Sequence, residues 1–358
     1  MGVESRDVET LMNSLDVIDR ELIELMIKRI ELLRRLIDIA GVKRFSEMLG
    51  SLHRNLILLG RNQGLDEDYI SIISSYINGL AVKMLKPLRV SFLGPRASFS
   101  EEAVMKIFGD MGVELLPQPS IREVFRSVEE GDSDYGVVPI ENSIEGSVGE
   151  TIDHLVSTKL FICGETELRI KLNLIARPGT RLEDIKVVLS HPHALAQCRN
   201  FIETRLKGVK IEARSSTSEA VREAVESYGV AAIGSEYAAK LYGGEILVSG
   251  IEDYRDNFTR FIVIGRNILD RGIGLKTSLI FATSNIPGAL YRALEPFAIR
   301  GINLTKIESR PIKGRPWEYM FYVEFEGSIN EERCAKAVDE LKNRTTFLKI
   351  LGTYKRIP

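Results

Sequence analysis

The chain has 358 residues, 44% of them hydrophobic and 27% charged, with a formal net charge of −2; this is the profile of a soluble globular protein long enough for two or three domains with cores of their own. Basic and acidic residues are interspersed, so nothing global draws the chain to nucleic acid or to an anionic membrane, and neither a signal-type N-terminus nor an uninterrupted apolar run of about 18 residues is present. Cys163, Cys198 and Cys334 are scattered without paired spacing, which argues against a disulfide framework or a zinc site and fits a reducing, cytoplasmic setting.

Up to about residue 86 the pattern is helical. Leu15, Ile18, Leu22, Leu25, Leu32, Leu36 and Ile39 recur at alternating three- and four-residue spacings, the apolar seam of a long packed helix, and the same register sets Arg29 on that seam. Further helices are predicted over 45–59 and 69–85, and Pro87 closes the region. From 88 to about 266, short apolar runs at 90–93, 136–138, 187–189 and 231–233 each lead through turn residues into a helical pattern. That alternation predicts an α/β fold with largely parallel sheets. Ser98 with Glu101, Ser120 with Glu123, Ser147 with Glu150 and Ser216 with Glu219 are spaced as capping boxes at helix starts. The stretch 267–275, with two glycines, is the expected linker. Beyond it the order is strand, helix, strand, strand, helix, strand, with strands near 278–281, 302–307, 319–325 and 347–354, a ferredoxin-like α+β unit. Pro287 opens its first helix, Gly301 follows that helix's end, and Asn330 caps the second.

The chemistry concentrates in the middle of the chain. Ser98, Asn142, Ser143, Ser147, Ser190 and Ser216 all fall where a strand ends and a helix begins, a place that offers unpaired N–H groups to a carboxylate. Each is read equally well as a helix cap or as a ligand contact. Thr259, Arg260 and Phe261 open the apolar run 261–264. A hydroxyl and a guanidinium at the mouth of a buried strand can hold a small anion and help move a proton; the lesser reading of Arg260 is a structural salt bridge. Glu141 is a candidate acid–base group or a tie for its own loop. His191 and His193 lack a third ligand and do not make a metal site, and Pro192 suits a first helical turn, which makes His191 positional.

Five motifs in order resemble those of the prephenate dehydratase family. They are the run 93–100, with Ala97-Ser98 where the family usually has Gly-Thr; Glu141-Asn142-Ser143 with Gly146; the run 190–198, with His193 where the family commonly has glutamine; the run 231–235; and Thr259-Arg260-Phe261. The resemblance implies a two-lobed, periplasmic-binding-protein-like α/β domain over 88–266. It also implies conversion of prephenate to phenylpyruvate, carbon dioxide and water on the route to phenylalanine. Thr259 is then placed against the departing hydroxyl, with Arg260, Asn142, Ser143 and Glu141 completing the catalytic set and Ser98, Ser190, Ser216 and Phe261 touching substrate. Aromatisation drives such a reaction, so no cofactor and no metal is implied.

Residues 276–358 resemble an ACT regulatory domain. Gly288-Ala289-Leu290 and Glu308-Ser309-Arg310-Pro311, with Asn303 and Leu304, are similar to the motifs that bind phenylalanine in this family. Such domains pair edge to edge, so the resemblance implies feedback inhibition by phenylalanine in a homodimer or homotetramer. Residues 1–87 resemble the helical chorismate mutase domain often fused to this enzyme. There Arg29 is the matched cation, while Met12, Ala40, Phe45, Met48, Leu49 and Leu85 stand where the family has polar or charged groups, and Lys43 is out of register. Arg44, His53 and Arg54 are possible substitutes. The favoured reading is a degenerate domain kept for dimerisation or helix packing, with mutase activity, and hence a bifunctional enzyme, as the lesser one. The sequence is also compatible with an arogenate dehydratase and, in a different class, with a non-catalytic amino-acid sensor.

Overall fold

The computed structural model describes residues 3–85, 87–109, 113–267, 275–312, 314 and 318–357. The N-terminal unit is two helices, α1 (Val3–Asn62) and α2 (Glu67–Leu85). The two helices predicted before residue 60 are thus one, because no proline interrupts 3–62 and Gly41 alone costs only about 1 kcal/mol in a helix. A turn at 63–66 folds α2 back along α1. His53 Nδ1 and Ser74 Oγ are 2.8 Å apart, and Gly60 lets Ile70 pack so closely that a Cβ would lie 2.3 Å from its Cδ1. Leu15, Ile18, Leu22 and Leu25 on α1 remain exposed, so the predicted seam is not covered within one chain along that stretch. Among the described residues no helix is long and apolar enough to cross a membrane.

The first lobe of the central region comprises β1 (Leu88–Leu93), α3 (Phe99–Phe108), β2 (Val113–Gln118), α4 (Ile121–Glu130), β3 (Tyr135–Asn142), β4 (Gly146–Ser147), α5 (Gly149–Ser157) and β5 (Phe161–Arg169). The second lobe follows: β6 (Asn173–Ala176), β7 (Val187–Ser190), α6 (Pro192–Gln197), α7 (Arg199–Arg205), β8 (Lys210–Ala213), α8 (Thr217–Glu226), β9 (Val230–Gly234), α9 (Glu236–Tyr242) and β10 (Glu245–Ser249). The chain then returns to the first lobe as β11 (Phe258–Gly265). β11 inserts between β3 and β5, antiparallel to both, in the order β2-β1-β3-β11-β5. The second sheet runs β10-β6-β9-β7-β8, with β6 antiparallel to both of its neighbours. Both sheets are therefore mixed, not largely parallel, because the connection leaves and re-enters the first lobe instead of winding onward. Two crossing segments tie the lobes side by side: Ile170 N–H donates to Asn257 O, and Ile251 N–H to Leu172 O.

The C-terminal unit is β12 (Leu275–Ala282), α10 (Ala289–Ile299), β13 (Leu304–Pro311), β14 (Tyr319–Glu326), α11 (Glu332–Asn343) and β15 (Phe347–Lys355), in the sheet order β13-β14-β12-β15. Gly288, left-handed at φ 77°, and not Pro287, sits at the N-cap of α10, and Glu331, not Asn330, precedes α11. The expected linker lies largely outside the described residues. Period-two alternation divides this sheet cleanly. Leu279, Phe281, Val323 and Phe325 pack under the two helices, whereas Ile280, Tyr322, Leu351 and Tyr354 join the core of the first lobe, against Ile162, Ile262 and Ile264. The regulatory-type sheet is thus glued to the catalytic-type lobe by a continuous hydrophobic core. At Gly352 the backbones approach so closely that a Cβ would fall 2.2 Å from Ile162 O.

Ala97 is left-handed, at φ 60°, in the position where glycine was the expected residue. The strain costs about 1–2 kcal/mol. Its buried methyl, however, sits in the second lobe's core beside Ile175, Leu189 and Val221, and burying one such group returns about 0.8 kcal/mol. Glycine would also give up about 0.5–1 kcal/mol of chain entropy. Ala97→Gly should therefore shift thermal stability by less than about 1 kcal/mol, whereas Ala97→Val, β-branched and left-handed, should destabilise by more than about 2 kcal/mol. Differential scanning calorimetry of the two variants checks this, and equal losses from both would disprove the offset.

Candidate active site

A cleft of about 370 Å³ opens between the two lobes, a volume suited to one small ligand. Three helix starts converge on it. Ser98 caps α3, with its Oγ accepting from Glu101 N–H and donating to Leu93 O. Ser216 caps α8 by accepting from Glu219 N–H. His191 caps α6, ahead of Pro192 in its first turn. The cap and ligand readings of Ser98 and Ser216 are therefore both met, since capping places these serines in the cleft wall. The first-turn amides of α3 and α8 present their partial positive charge to the cleft, whose described lining residues include no lysine or arginine and one carboxylate, Glu145. Arg96 and Arg222 line an adjoining recess that shares Gly94, Ser215 and Ser216 with the cleft.

Thr259 and Phe261 enter the cleft from β11, and Asn142 from the end of β3, where it is the cross-strand partner of Thr259. Asn142 Oδ1 accepts the N–H groups of Ile144 and Glu145 at 2.9 and 3.0 Å, which fixes the amide so that Nδ2 is the donor. That Nδ2 donates to Asn257 Oδ1 (2.7 Å), Phe258 O (3.2 Å) and Thr259 Oγ1 (2.9 Å). A threonine oxygen that accepts a hydrogen bond keeps its own hydrogen to donate. Asn142 thus turns Thr259 into an oriented donor.

The hydrogen bonding continues across the cleft. Asn257 Nδ2 donates to Gln197 Oε1 (3.1 Å), and Gln197 Nε2 donates to Glu145 Oε1 (3.1 Å). His193 Nδ1 lies 2.9 Å from the same Glu145 oxygen. Asn142, Asn257, Gln197 and Glu145 form a closed ring joining β3 and β11 to α6 of the opposite lobe. Gln197, Asn257 and Glu145 were missed as site residues because their partners are distant in sequence; the signal for Gln197 and Glu145 was their place inside two of the recognised motifs. Burial and the neighbouring His193 lower the pKa of His191, against a smaller opposing pull from Glu145.

Four expected site residues do not line the cleft. Ser190 is fully buried and donates to Ile233 O at 2.7 Å, a tie between β7 and β9. Ser143 donates to Asp256 O and accepts from Phe258 N–H, pinning the β3–β4 turn to the start of β11. Glu141 and Arg260, cross-strand partners one residue along from Asn142 and Thr259, point to the opposite face of the sheet, as strand alternation requires. Arg260 donates there to Glu141, Glu165 and Glu324, at 2.7–3.0 Å. Ser147, for its part, is not a helix cap: Val148 occupies that position, and Ser147 Oγ accepts from Lys306 Nζ.

Of the expected effector residues, Ala289 and Leu290 line a small cavity of about 130 Å³ with Ser284, Ile286, Tyr319 and Phe321, next to Gly288. Ser309 and Pro311 lie opposite Phe321 and Tyr319 across the β13–β14 ladder. Asn303 O accepts from Glu326 N–H, and Leu304 packs on the core under the helices. Glu308 and Arg310 alternate to the other face, where Glu308 pairs with Lys306 at 3.6 Å and Arg310 with Asp153 of α5 at 3.1 Å. In the N-terminal unit Arg29 is partly buried on α1, and burial lowers its pKa. The side chains of Ala40, Lys43, Arg44, Phe45, Leu49 and Leu85 lie outside the described residues.

A two-lobed α/β cleft ringed by helix starts, returning to its first lobe and continuing into a βαββαβ unit, defines a small-anion enzyme with an attached regulatory-type module. Residues 90–268 match the prephenate dehydratase family and residues 277–343 the ACT domain, and the chain belongs to the prephenate dehydratase family. It is 38% identical to a bifunctional chorismate mutase/prephenate dehydratase of Aquifex aeolicus over 98% of both chains. An arogenate dehydratase/prephenate dehydratase of Arabidopsis thaliana is 40% identical, over 75% of this chain and 72% of that one. The crystal structure of an Arthrobacter aurescens prephenate dehydratase in complex with L-Phe superposes with a TM-score of 0.69 at 34% identity, covering 75% of this chain and 90% of that one. The chain is accordingly an enzyme of phenylalanine biosynthesis, a carbon–oxygen lyase.

The buried carboxylate of Glu324 makes one property of this architecture pH-dependent. Burial alone would raise its pKa, but hydrogen bonds and charge from Arg260, with Lys276, hold it below the usual 4.5. A depressed acid stabilises the fold above its unfolded pKa and loses that contribution as pH falls through its folded value. Thermal stability should fall as pH drops below about 4.5, and Glu324→Gln should show a shallower acid slope. A parent and variant with parallel slopes between about pH 6 and 3.5 would remove Glu324 from the titrating set.

Proposed function

We propose that the interlobe cleft binds prephenate and that Thr259 assists departure of its ring hydroxyl. The observation that carries this reading is the Asn142–Thr259 pair, which leaves a threonine O–H aimed into a cleft whose wall also carries the helix N-termini at Ser98 and Ser216. The two carboxylates of prephenate suit those N-termini. In the reaction the bond from the ring to its carboxylate breaks and releases carbon dioxide. The electron pair completes the aromatic ring, and the ring–oxygen bond breaks as a proton reaches the leaving hydroxyl to give water. Thr259 is too weak an acid to titrate, so it donates a hydrogen bond or relays a proton to that oxygen. General acid assistance of this kind is worth about 10²- to 10⁴-fold. Ser98, Ser216 and Phe261 complete the substrate wall, and Ser190, Ser143 and Glu141 hold its framework.

The domain reading assigns 88–266 to catalysis, 276–358 to regulation by phenylalanine and 1–87 to assembly. The effector reading is supported by the cavity at Ala289 and Leu290, by its neighbours Gly288, Ser309 and Pro311, and by the L-Phe complex of the Arthrobacter relative. β13, at the edge of its sheet, is open to pairing with a second copy. The assembly reading is supported by α1, about 90 Å long for its 60 residues, whose Leu15, Ile18, Leu22 and Leu25 are more than half exposed in one chain. A second copy covers that stripe. Arg29 alone does not make a dianion site, so mutase activity is not assigned to this unit. The full-length match to bifunctional relatives favours the second reading, a bifunctional enzyme.

Purified chain supplied with prephenate should form phenylpyruvate, and arogenate supplied in parallel tests the alternative substrate. Thr259→Val, nearly isosteric, should lower kcat by at least about 10²-fold, while Thr259→Ser should keep most of it; a Val variant within threefold of the parent removes the assigned role. Chorismate supplied alone should give no prephenate, and its conversion would make the second reading the correct one.

A further inference from the structure

Arg260 stands between two cleft residues yet has no part in the cleft. Its guanidinium lies in a charged cluster on the far face of the sheet, where Glu324 is 1% and Glu165 3% exposed. Of the three carboxylates that hold it, Glu141 of β3 and Glu165 of β5 belong to the first lobe and Glu324 to the C-terminal sheet. Glu324 of β14 takes two of its hydrogen bonds, at 2.9 and 3.0 Å. Lys276 of β12 bridges Glu165 and Glu324 at 2.7 and 3.1 Å. Lys306 of β13 pairs at 2.5 Å with Glu141, which is itself 2.7 Å from Arg260 Nη2. Burial works against the charge of Arg260, but the hydrogen bonds and charge of Glu324 raise its pKa, so it stays ionised at any physiological pH.

We propose that Glu141 and Arg260 form a positioning pair through which the C-terminal unit sets the geometry of Asn142 and Thr259. The inference rests on the dehydratase and phenylalanine readings given above. Glu141–Arg260 and Asn142–Thr259 are adjacent cross-strand pairs on the same two strands, facing opposite sides. A shift that reorients the first pair twists the backbone that carries the second. The ladder breaks register immediately afterwards, between Arg260 and Phe261, and such a bulge locally frees a strand end to re-aim its side chains. On the regulatory side the connection runs along β13. Glu308, inside the expected effector motif, pairs with Lys306, and Lys306 reaches both Glu141 and Ser147. Ser309 and Pro311, on the same strand, flank the small cavity through their ladder partners. A ligand that displaces β13 therefore moves the cation that holds Glu141. The two strands have a reason to respond as a unit, because a buried charge that loses its partner is strongly penalised.

The test is a double-mutant cycle in the full-length protein using Arg260→Gln and Glu324→Gln, with Lys306→Gln as a variant at the rim of the cluster should either buried change impair folding. The readouts are kcat and KM for prephenate, inhibition by phenylalanine, and hydrogen exchange of the 255–265 segment with and without phenylalanine. A positioning role predicts that Glu324→Gln, remote from the cleft, lowers kcat by about tenfold with KM within about twofold. It predicts that the double variant is no worse than the worse single, and that the phenylalanine concentration for half inhibition shifts at least fivefold. Lys306→Gln should shift phenylalanine inhibition in the same way. Phenylalanine should alter exchange in 255–265 in the parent and not in Glu324→Gln. The inference fails if Arg260→Gln raises KM more than tenfold at unchanged kcat, since Arg260 would then bind substrate. It also fails if Glu324→Gln and Lys306→Gln behave as the parent in both rate and inhibition. A parent that does not turn over prephenate refutes the dehydratase reading instead, and the exchange measurement then still decides whether the C-terminal unit reaches β11.

Discussion

A strand places successive side chains on opposite faces, and in β11 that alternation separates the cleft from the C-terminal sheet. Thr259 and Phe261 face the cleft, and Arg260 between them faces the C-terminal sheet. The separation holds because a largely buried guanidinium needs anionic partners, and Glu141, Glu165 and Glu324 supply them. Rotating β11 to aim Arg260 at substrate would drive Thr259 into the hydrocarbon around Ile262 and Ile264 and strand three carboxylates. The cleft face is consequently left to Thr259, Asn142 and the helix N-termini of α3 and α8, whose partial charges are fixed by the backbone and need no side chain to reorganise.

The core extends the same logic. Ile280, Tyr322, Leu351 and Tyr354 are buried with Ile162, Ile262 and Ile264 in one cluster, so the C-terminal sheet does not swing freely on a tether. Its hydroxyls are drawn into the charged network as well: Tyr354 and Tyr322 meet Ser278, and Tyr322 donates to Glu324 at 2.7 Å. Packing of this kind transmits displacements, because close-packed interiors repack between discrete arrangements and do not deform smoothly. Lys349 on β15 adds a further grip, donating to the last carbonyls of α5, the helix that follows the Asn142 turn.

Much of the fold was legible in the sequence. The apolar runs at 90–93, 136–138, 187–189 and 231–233 became strands because burial on both faces demands unbroken hydrocarbon. Three of the four serines became N-caps, each accepting from the N–H of the glutamate three residues on; the fourth did not, and Ser147 instead meets Lys306, a partner 159 residues away. The mixed direction of the sheets was not legible, since nothing local in Phe258–Gly265 records that it returns to the first lobe between two earlier strands. Ala97 shows the converse. The backbone there demanded a left-handed residue whatever its identity, and the second lobe's core repaid part of the strain.

The sequence by itself determined which chemical groups were available: a hydroxyl at Thr259, an amide at Asn142, serines before helices, an apolar stripe on α1. These follow from residue type and periodicity, which act over a few residues. Only the tertiary structure decided how they are used. Asn142 donates to Thr259, Gln197 and Glu145 close a ring across the lobes, and Arg260 pairs with Glu324 of the C-terminal sheet and does not line the cleft. Hydrogen bonds and ion pairs between residues 52 to 117 positions apart depend on where strands are inserted, and no local spacing carries that information.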